Sequence, residues 1–303
     1  MLHRIQPAVA VLVLIALAAL SGCSGADPFS PGTGPSSARP IVIGSQDYYS
    51  NEIIAELYAQ ALEKDGHQVD RQFRIGQREV YLPEIEAGRI DVFPEYSGPL
   101  LQYWQPTTQA RLADPVYAEL RNATPKGLRV LDQSTATDQD SYVVTKEFAG
   151  EWGLVTIEDL AKVTVPMTMG ANSEAQNRPN GPKGLLGSYG IEVGFTPIED
   201  GGGPLTVKAL KDDSIQLAII YTADPSIAAN GLLSLEDTKG LFLASHVVPL
   251  VSDNVDAKAA ATIDAISAAM TPQDLIALNV RSVTEQLPAA KIASDWLGQK
   301  GLG

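Results

Sequence analysis

The sequence predicts an α/β fold of two lobes with a ligand crevice between them. Three observations predict it: short apolar runs alternate with amphipathic stretches over residues 40–96, the alternation resumes beyond a polar interval at 131–140, and the chain from Asp256 onward is helical in pattern. In an open parallel sheet the ligand sits outside the carboxyl ends of the strands. Functional residues are therefore expected on the loops that follow strands.

Pro40–Ser45 (PIVIGS) reads as a strand, and Ser50 or Asn51 is the expected cap of a helix that places Ile53, Ile54, Leu57, Tyr58 and Leu62 on one face before Gly66 ends it. His67–Ile75 reads as a strand, Arg78–Gly88 as a helix, and Arg89–Tyr96 (RIDVFPEY) as a buried strand running into a loop. After the polar interval, Tyr142–Thr145 is strand-like, Thr156-Ile157-Glu158-Asp159 has the form of a capping box, and Val163–Met169 is rich in β formers. Gly170–Gly190, loaded with Gly, Asn and Pro, reads as loop. Pro204–Lys211 is helical, Ile215–Tyr221 (IQLAIIY) is a buried strand, and Leu241–Val251 is a further apolar run. Asp256 precedes an alanine-rich helix, Thr271-Pro272 sets a cap with proline at the first helical position, and Pro288 opens the last helix. The loops after strands then hold Gln46–Asn51, Tyr96–Pro99, Asp140–Tyr142, Asn172–Arg178 and Tyr221–Asp224.

The start of the chain has the layout of a signal peptide over residues 1–22: a cationic start with Arg4, an apolar stretch from Ala8 to Leu20, then Leu20-Ser21-Gly22-Cys23. That apolar stretch falls short of the roughly 20 residues a membrane-spanning helix needs. Cys23 is the only cysteine, and Leu-Ser-Gly-Cys resembles a bacterial lipobox. The resemblance implies a lipid on the Cys23 sulfur, removal of residues 1–22, and a chain held at the extracytoplasmic face of the cell membrane. Residues 23–39, dominated by Gly, Ser and Pro, read as a flexible tether. A net charge of −14 argues against nucleic acid as a partner, because phosphate binding needs a basic face.

Nothing in the sequence points to catalysis, a metal or a cofactor. His3, His67 and His246 are scattered, and no G-x-S-x-G, phosphate-binding G-K-[ST] or G-x-G-x-x-G occurs. Gly201-Gly202-Gly203 follows Glu199-Asp200, whose charges repel phosphate. Asp138 and Asp140 lack the remaining spacing of a calcium loop.

Tyrosine outnumbers phenylalanine, ten against six, and several tyrosines fall on the strand-end loops. Ring faces are what can hold a quaternary ammonium, which has no N–H to donate. Four segments carry a resemblance to a known family: IVIGSQDYYSNEIIAELYAQALEKDG, AGRIDVFPEYSG, LTVKALKDDSIQLAIIYTAD and SDNVDAKAAATIDAISAAMTPQDLIALNVRSV. In these the chain resembles the substrate-binding proteins of ABC importers for osmoprotectants such as glycine betaine, choline, carnitine and proline betaine.

The resemblance implies a two-lobed, type II periplasmic-binding-protein-like fold with two crossovers, near Thr137–Asp140 and near Val248–Ser252. Lobe 1 would comprise 40–137 and 249–303, and lobe 2 would comprise 138–248. It implies a monomer that serves a membrane permease driven by a separate ATPase. It also implies a ligand cage of Tyr96, Tyr142 and Tyr221, with Gln46 and Asp140 at neighbouring polar positions and Arg178 as a carboxylate-binding arginine. Val207 stands where the family has a fourth tyrosine, and Pro99 where it has a threonine; Tyr48, Tyr49 and Tyr189 are candidates to complete the cage. Two ligand readings follow: a quaternary ammonium of the glycine betaine type, or a larger, flatter or uncharged molecule admitted by Val207. A lipid-anchored scaffold without transport is the third reading.

Overall fold

The computed structural model describes residues 39–303; the signal segment, Cys23 and nearly all of the tether lie outside the described residues. The chain runs β1 (Ile41–Gly44), α1 (Tyr49–Lys64), β2 (Val69–Gln72), α2 (Arg78–Glu86), β3 (Val92–Tyr96), α3 (Ser97–Trp104), α4 (Ala113–Ala123) and β4 (Leu128–Val130). It continues through β5 (Asp140–Thr145), α5 (Lys146–Trp152), β6 (Thr168–Ala171), α6 (Pro182–Tyr189), β7 (Gly194–Pro197), α7 (Pro204–Lys211), β8 (Leu217–Tyr221), α8 (Ser226–Ala229) and β9 (Leu232–Ser234). It closes with β10 (Val247–Ser252), α9 (Ala257–Ala269), α10 (Pro272–Val283) and α11 (Ala289–Lys300).

Two five-stranded sheets result, ordered β2-β1-β3-β10-β4 and β7-β6-β8-β5-β9. They share one plan. Three strands lie parallel, and the fourth runs antiparallel to both its neighbours: β10 between β3 and β4, β5 between β8 and β9. In each sheet that antiparallel strand is the one by which the chain enters from the other lobe. The carboxyl ends of β1, β3, β6 and β8 deliver the loops that face the cleft.

The first lobe buries the apolar face of α1, with Ile53, Leu57 and Leu62, against Ile263, Leu278 and Trp296 of α9, α10 and α11. The expected caps at the C-terminal helices are present: Ala259 N–H donates to Asp256 at 2.8 Å, and Thr271 and Asp274 exchange backbone-to-side-chain bonds of 3.0 and 3.1 Å. At α1 the expectation fails. The helix begins at Tyr49 with no side-chain cap, and Asn51 instead accepts from Gln46 N at 3.0 Å and donates to the Pro94 carbonyl at 2.8 Å. Asn51 thus ties the loop after β1 to the end of β3.

Gly170–Gly190, expected as loop, holds a single 3-10 turn over Ser173–Gln176 and the helix α6. Pro182 starts that helix and Gly190, at φ 71°, ends it. Gly184 is there for contact, since a Cβ at that position would stand 1.6 Å from the Pro179 carbonyl oxygen.

The crossovers are laced together. Thr137 and His246 form an antiparallel bridge, with Ser134 N donating to Val247 O at 2.8 Å, Val247 N to Ala136 O at 3.0 Å and Asp138 N to Ser245 O at 3.2 Å. The second crossover therefore precedes Val247. Val248–Ser252, expected to be that crossover, is instead the buried middle of β10, and its apolarity reflects a position between β3 and β4. Gly98 lets α3 approach the returning chain: a Cβ there would stand 2.8 Å from the carbonyl oxygens of Leu243 and Ala244. Gly98→Ala should cost about 1–3 kcal/mol through this clash, read as a lower urea midpoint with an unchanged slope; a midpoint equal to wild type contradicts the packing described.

Candidate functional site

Four tyrosines converge where the lobes meet. Tyr48 and Tyr49 come from the loop after β1 and the start of α1, Tyr96 ends β3, and Tyr221 ends β8 in the opposite lobe. The Tyr48 ring lies 4.7 Å from that of Tyr49 and 4.6 Å from that of Tyr221, tilted in both cases. Tyr48 also packs over Gly201, where a Cβ would come to 3.8 Å from its ring. The Tyr48 and Tyr96 hydroxyls are buried without hydrogen-bond partners. Burial, and secondarily the nearby Asp138, pushes both phenols well above their ordinary range.

Asp138 lies on the first crossover and is 1% exposed. One carboxylate oxygen accepts from Ala223 N at 2.9 Å, and the other has no partner. Burial, with Asp224 and Asp140 adding repulsion, pushes its pKa up to about 8. Asp224 accepts the Tyr49 hydroxyl at 2.8 Å, a bond that crosses between the lobes.

A second bond between the lobes is the bidentate pair of Arg178 with Glu79, at 3.0 and 2.8 Å. Arg178, expected to hold a ligand carboxylate, thus spends its fork on a carboxylate of the protein. Arg78 does the same deeper in the first lobe: it grips Glu95 with two bonds of 2.9 Å, and Glu95 also takes the Tyr81 hydroxyl at 2.7 Å and Tyr96 N at 2.8 Å. Two concavities flank this region. One of about 20 Å³ is bounded by Gln77, Asp140, Arg178, Asn180 and Tyr221. One of about 230 Å³ is bounded by Arg78, Glu79, Pro99, Tyr103, Arg178 and Asn180.

Of the residues expected in the site, Tyr221, Asp140 and Arg178 line the cleft, while Tyr96 and Gln46 are buried, the Gln46 backbone fixed by Asn51. Tyr142 does not reach the cleft. It is fully buried in the second lobe's core, edge-on to Phe242, and its hydroxyl donates to the Asn180 carbonyl at 2.8 Å. Asn180 in turn donates to Asp140 at 2.8 Å, so Tyr142 positions the cleft from beneath. Val207 is also core, packed with Val143 and Leu210, and it borders a separate concavity of about 570 Å³ beside Tyr49, Pro204, Asp224 and Val283. Tyr189 lies away from the cleft, bonded to Asp237 with Lys239 4.7 Å over its ring. Tyr48, a candidate to complete the cage, stands at the meeting of the lobes. Sequence reasoning missed the structural weight of Asp138, Asp224 and Glu79; the first two sit within a few residues of a strand or crossover end, and that placement was the available signal.

Comparison with known proteins places these features in a family. The chain matches, over residues 39–299, the family described as the substrate binding domain of ABC-type glycine betaine transport systems. It is 23% identical over 279 residues to the glycine betaine-binding protein YehZ of Escherichia coli, covering 87% of this chain and 92% of that one. It is 26% identical over 300 residues to the carnitine transport binding protein of Listeria monocytogenes, covering 95% and 94%. The crystal structure described as a glycine betaine/carnitine/choline ABC transporter superposes with a TM-score of 0.68 at 20% identity, covering 86% of this chain and 99% of that one. The architecture is the two-lobed type II binding-protein fold, in a family of binding proteins of transporters and not of enzymes. With its laced crossovers and a match that spans both lobes, the chain belongs to the family of substrate-binding domains of ABC-type glycine betaine transport systems.

Proposed function

We propose that this protein is the lipid-anchored, extracytoplasmic binding component of an ABC importer, and that it captures a quaternary ammonium osmoprotectant of the glycine betaine type between its lobes. The observation that carries the proposal is the contact of Tyr48 with Tyr221, 4.6 Å apart on opposite lobes. Opening separates the two rings, and closure on a cation sets ring faces around it, each worth about 0.5–2 kcal/mol. A ligand that contacts both lobes shifts the population to the closed form. The closed form then docks on the permease, energised by its separate ATPase. The relatives named for glycine betaine and carnitine support this ligand class.

Lipid attachment at Cys23, with 1–22 removed and 23–39 as tether, completes the proposal. A receptor held beside its permease gains effective concentration without any new contact. No helix among the described residues is long and apolar enough to cross a membrane. The larger or flatter ligand keeps one supporting observation, the concavity of about 570 Å³ that Val207 borders next to Tyr49.

Calorimetry with glycine betaine, choline, carnitine and proline betaine tests the ligand class, and heat from at least one is expected; no heat from any would remove it. Tyr221→Ala should weaken the bound quaternary ammonium by about 3- to 30-fold, whereas Tyr117→Ala, whose hydroxyl serves the Leu131 carbonyl within the first lobe, should change affinity by less than about twofold. Equal losses would contradict the placement of the cage. Glu79→Gln removes the ion pair with Arg178, and because Glu79 is partly exposed the loss of affinity should be only about two- to fivefold and should shrink with added salt. A salt-independent loss would mean that the pair does not act in closure. Finally, Cys23→Ser should move the protein from the membrane to the soluble fraction, and persistence in the membrane fraction would contradict lipid anchoring.

A further inference from the structure

The concavity of about 570 Å³ that Val207 borders shares no lining residue with the two concavities of the cleft. α7 supplies one wall through Pro204, Val207, Lys208 and Lys211, spaced i, i+3, i+4 and i+7 on one face of the helix. The turn after β8 supplies Asp224 and Ser226, and the first lobe supplies Tyr49 and the last residue of α10, Val283. Tyr49 is the partition: its ring lies 4.7 Å from that of Tyr48, and its hydroxyl crosses to Asp224 at 2.8 Å. The volume falls within the range of about 300–1,000 Å³ typical of small-molecule sites.

The carboxylates around this concavity are already supplied with donors. Asp200 accepts from Leu205 N at 2.6 Å, Thr206 N at 3.1 Å and Thr206 Oγ1 at 2.6 Å. Asp212 pairs with Lys208, and Asp224 takes Ser226 N at 2.7 Å as well as the Tyr49 hydroxyl. Lys211 has no carboxylate within ion-pair distance among the described residues, and its exposed side chain extends the ammonium into water. Three carboxylates against two ammoniums disfavour an anion, and a cation finds no carboxylate in need of a partner. What stays open is the apolar surface of Pro204, Val207, Val283 and the Tyr49 ring, with one buried hydroxyl that has no partner, Ser226 Oγ.

We propose that this concavity is a second binding site, separate from the transport cleft, for an uncharged and largely apolar ring compound that carries a single hydroxyl. The apolar wall takes the rings, and Ser226 Oγ is the polar group that meets the hydroxyl. A molecule seated there touches α7 and the turn after β8 in one lobe and Tyr49 and Val283 in the other. It therefore favours the arrangement in which these surfaces face each other, and it shields the Tyr49–Asp224 bond from water. Resting on the importer role proposed above, such a molecule is an effector: it raises affinity for the transported solute, and by linkage the solute raises its affinity by the same factor.

Calorimetry with naphthalene-1-methanol, and with the carboxylate and the methylammonium of the same ring system, tests the site. The alcohol should bind with a Kd of about 10 μM to 1 mM, and the two ions at least about fivefold more weakly. Val283→Trp, at a position 40% exposed, puts an indole into the cavity and should weaken the alcohol at least about tenfold while the thermal melt stays within about 2 °C of wild type. Ser282→Trp, on the same rim, should act alike. Heat from the ammonium that survives in these variants comes from elsewhere and is subtracted. Saturating alcohol should tighten the binding of glycine betaine or choline at least about threefold. No binding of the alcohol, an ion bound as tightly, binding unchanged in both variants, or displacement of the alcohol by the solute overturns the second site. Alcohol binding that leaves solute affinity unchanged overturns the effector role. The alcohol titration is read without any solute, so these results leave the importer role standing, and failure of every quaternary ammonium to bind overturns that role without deciding the site.

Discussion

Everything at the cleft depends on the lacing of the two crossovers. Residues 134–138 and 245–247 pair antiparallel, so the chain that leaves the first lobe and the chain that returns are bound to each other. Each crossover continues directly into the antiparallel strand of one sheet, β5 or β10, and those strands are central in their sheets. A hinge built in this way has few free torsions. It holds the carboxyl ends of β1, β3 and β8 face to face, which is why tyrosines distant in sequence meet. It also places Asp138 at the pivot, where a carboxylate is remote from solvent in the closed form.

Charge is managed in two ways around that pivot. Glu95 is surrounded by donors: two from Arg78, one from Tyr81 and one from its neighbour's backbone. Such a buried pair is costly to break, because removing one partner strands the other. It makes the end of β3, and so Tyr96, rigid. Arg178 and Glu79 are more exposed and belong to opposite lobes, so their pair adds only modestly to holding the lobes together. The aspartates are the remaining, unbalanced part. Desolvation without a counter-charge is unfavourable, and it pushes the buried Asp138 carboxyl up to about 8.

The periodic features of the chain were legible. β1, α1, β3, α7, β8 and the C-terminal helices follow from apolar spacing and from caps at Asp256 and Thr271. The strand-end rule found Tyr96, Arg178 and Tyr221, whereas Asp140–Tyr142, expected as loop, opens the strand β5. It failed where one pattern has two causes. Tyr142 shares the face of Asp140 two residues on, yet it packs edge-on to Phe242 in the core of the second lobe. The run at 248–252 is apolar because it is the middle of a sheet, and a strand interior cannot be told from an apolar crossover by composition. The resemblance implied a ligand carboxylate for Arg178, and nothing local pointed to its partner Glu79, which lies 99 residues away. α3 and α5 are short, with Gly-Pro or few apolar positions, and their helicity comes from packing more than propensity.

On the proposed function, ligand binding closes the two lobes about one laced hinge, with tyrosines from both sides meeting across the cleft. Small-angle X-ray scattering on the mature chain, recorded while a bound quaternary ammonium is titrated in, tests it most directly. A radius of gyration that falls and saturates at one ligand per chain is the predicted result. A radius that stays constant while calorimetry shows saturation would contradict it.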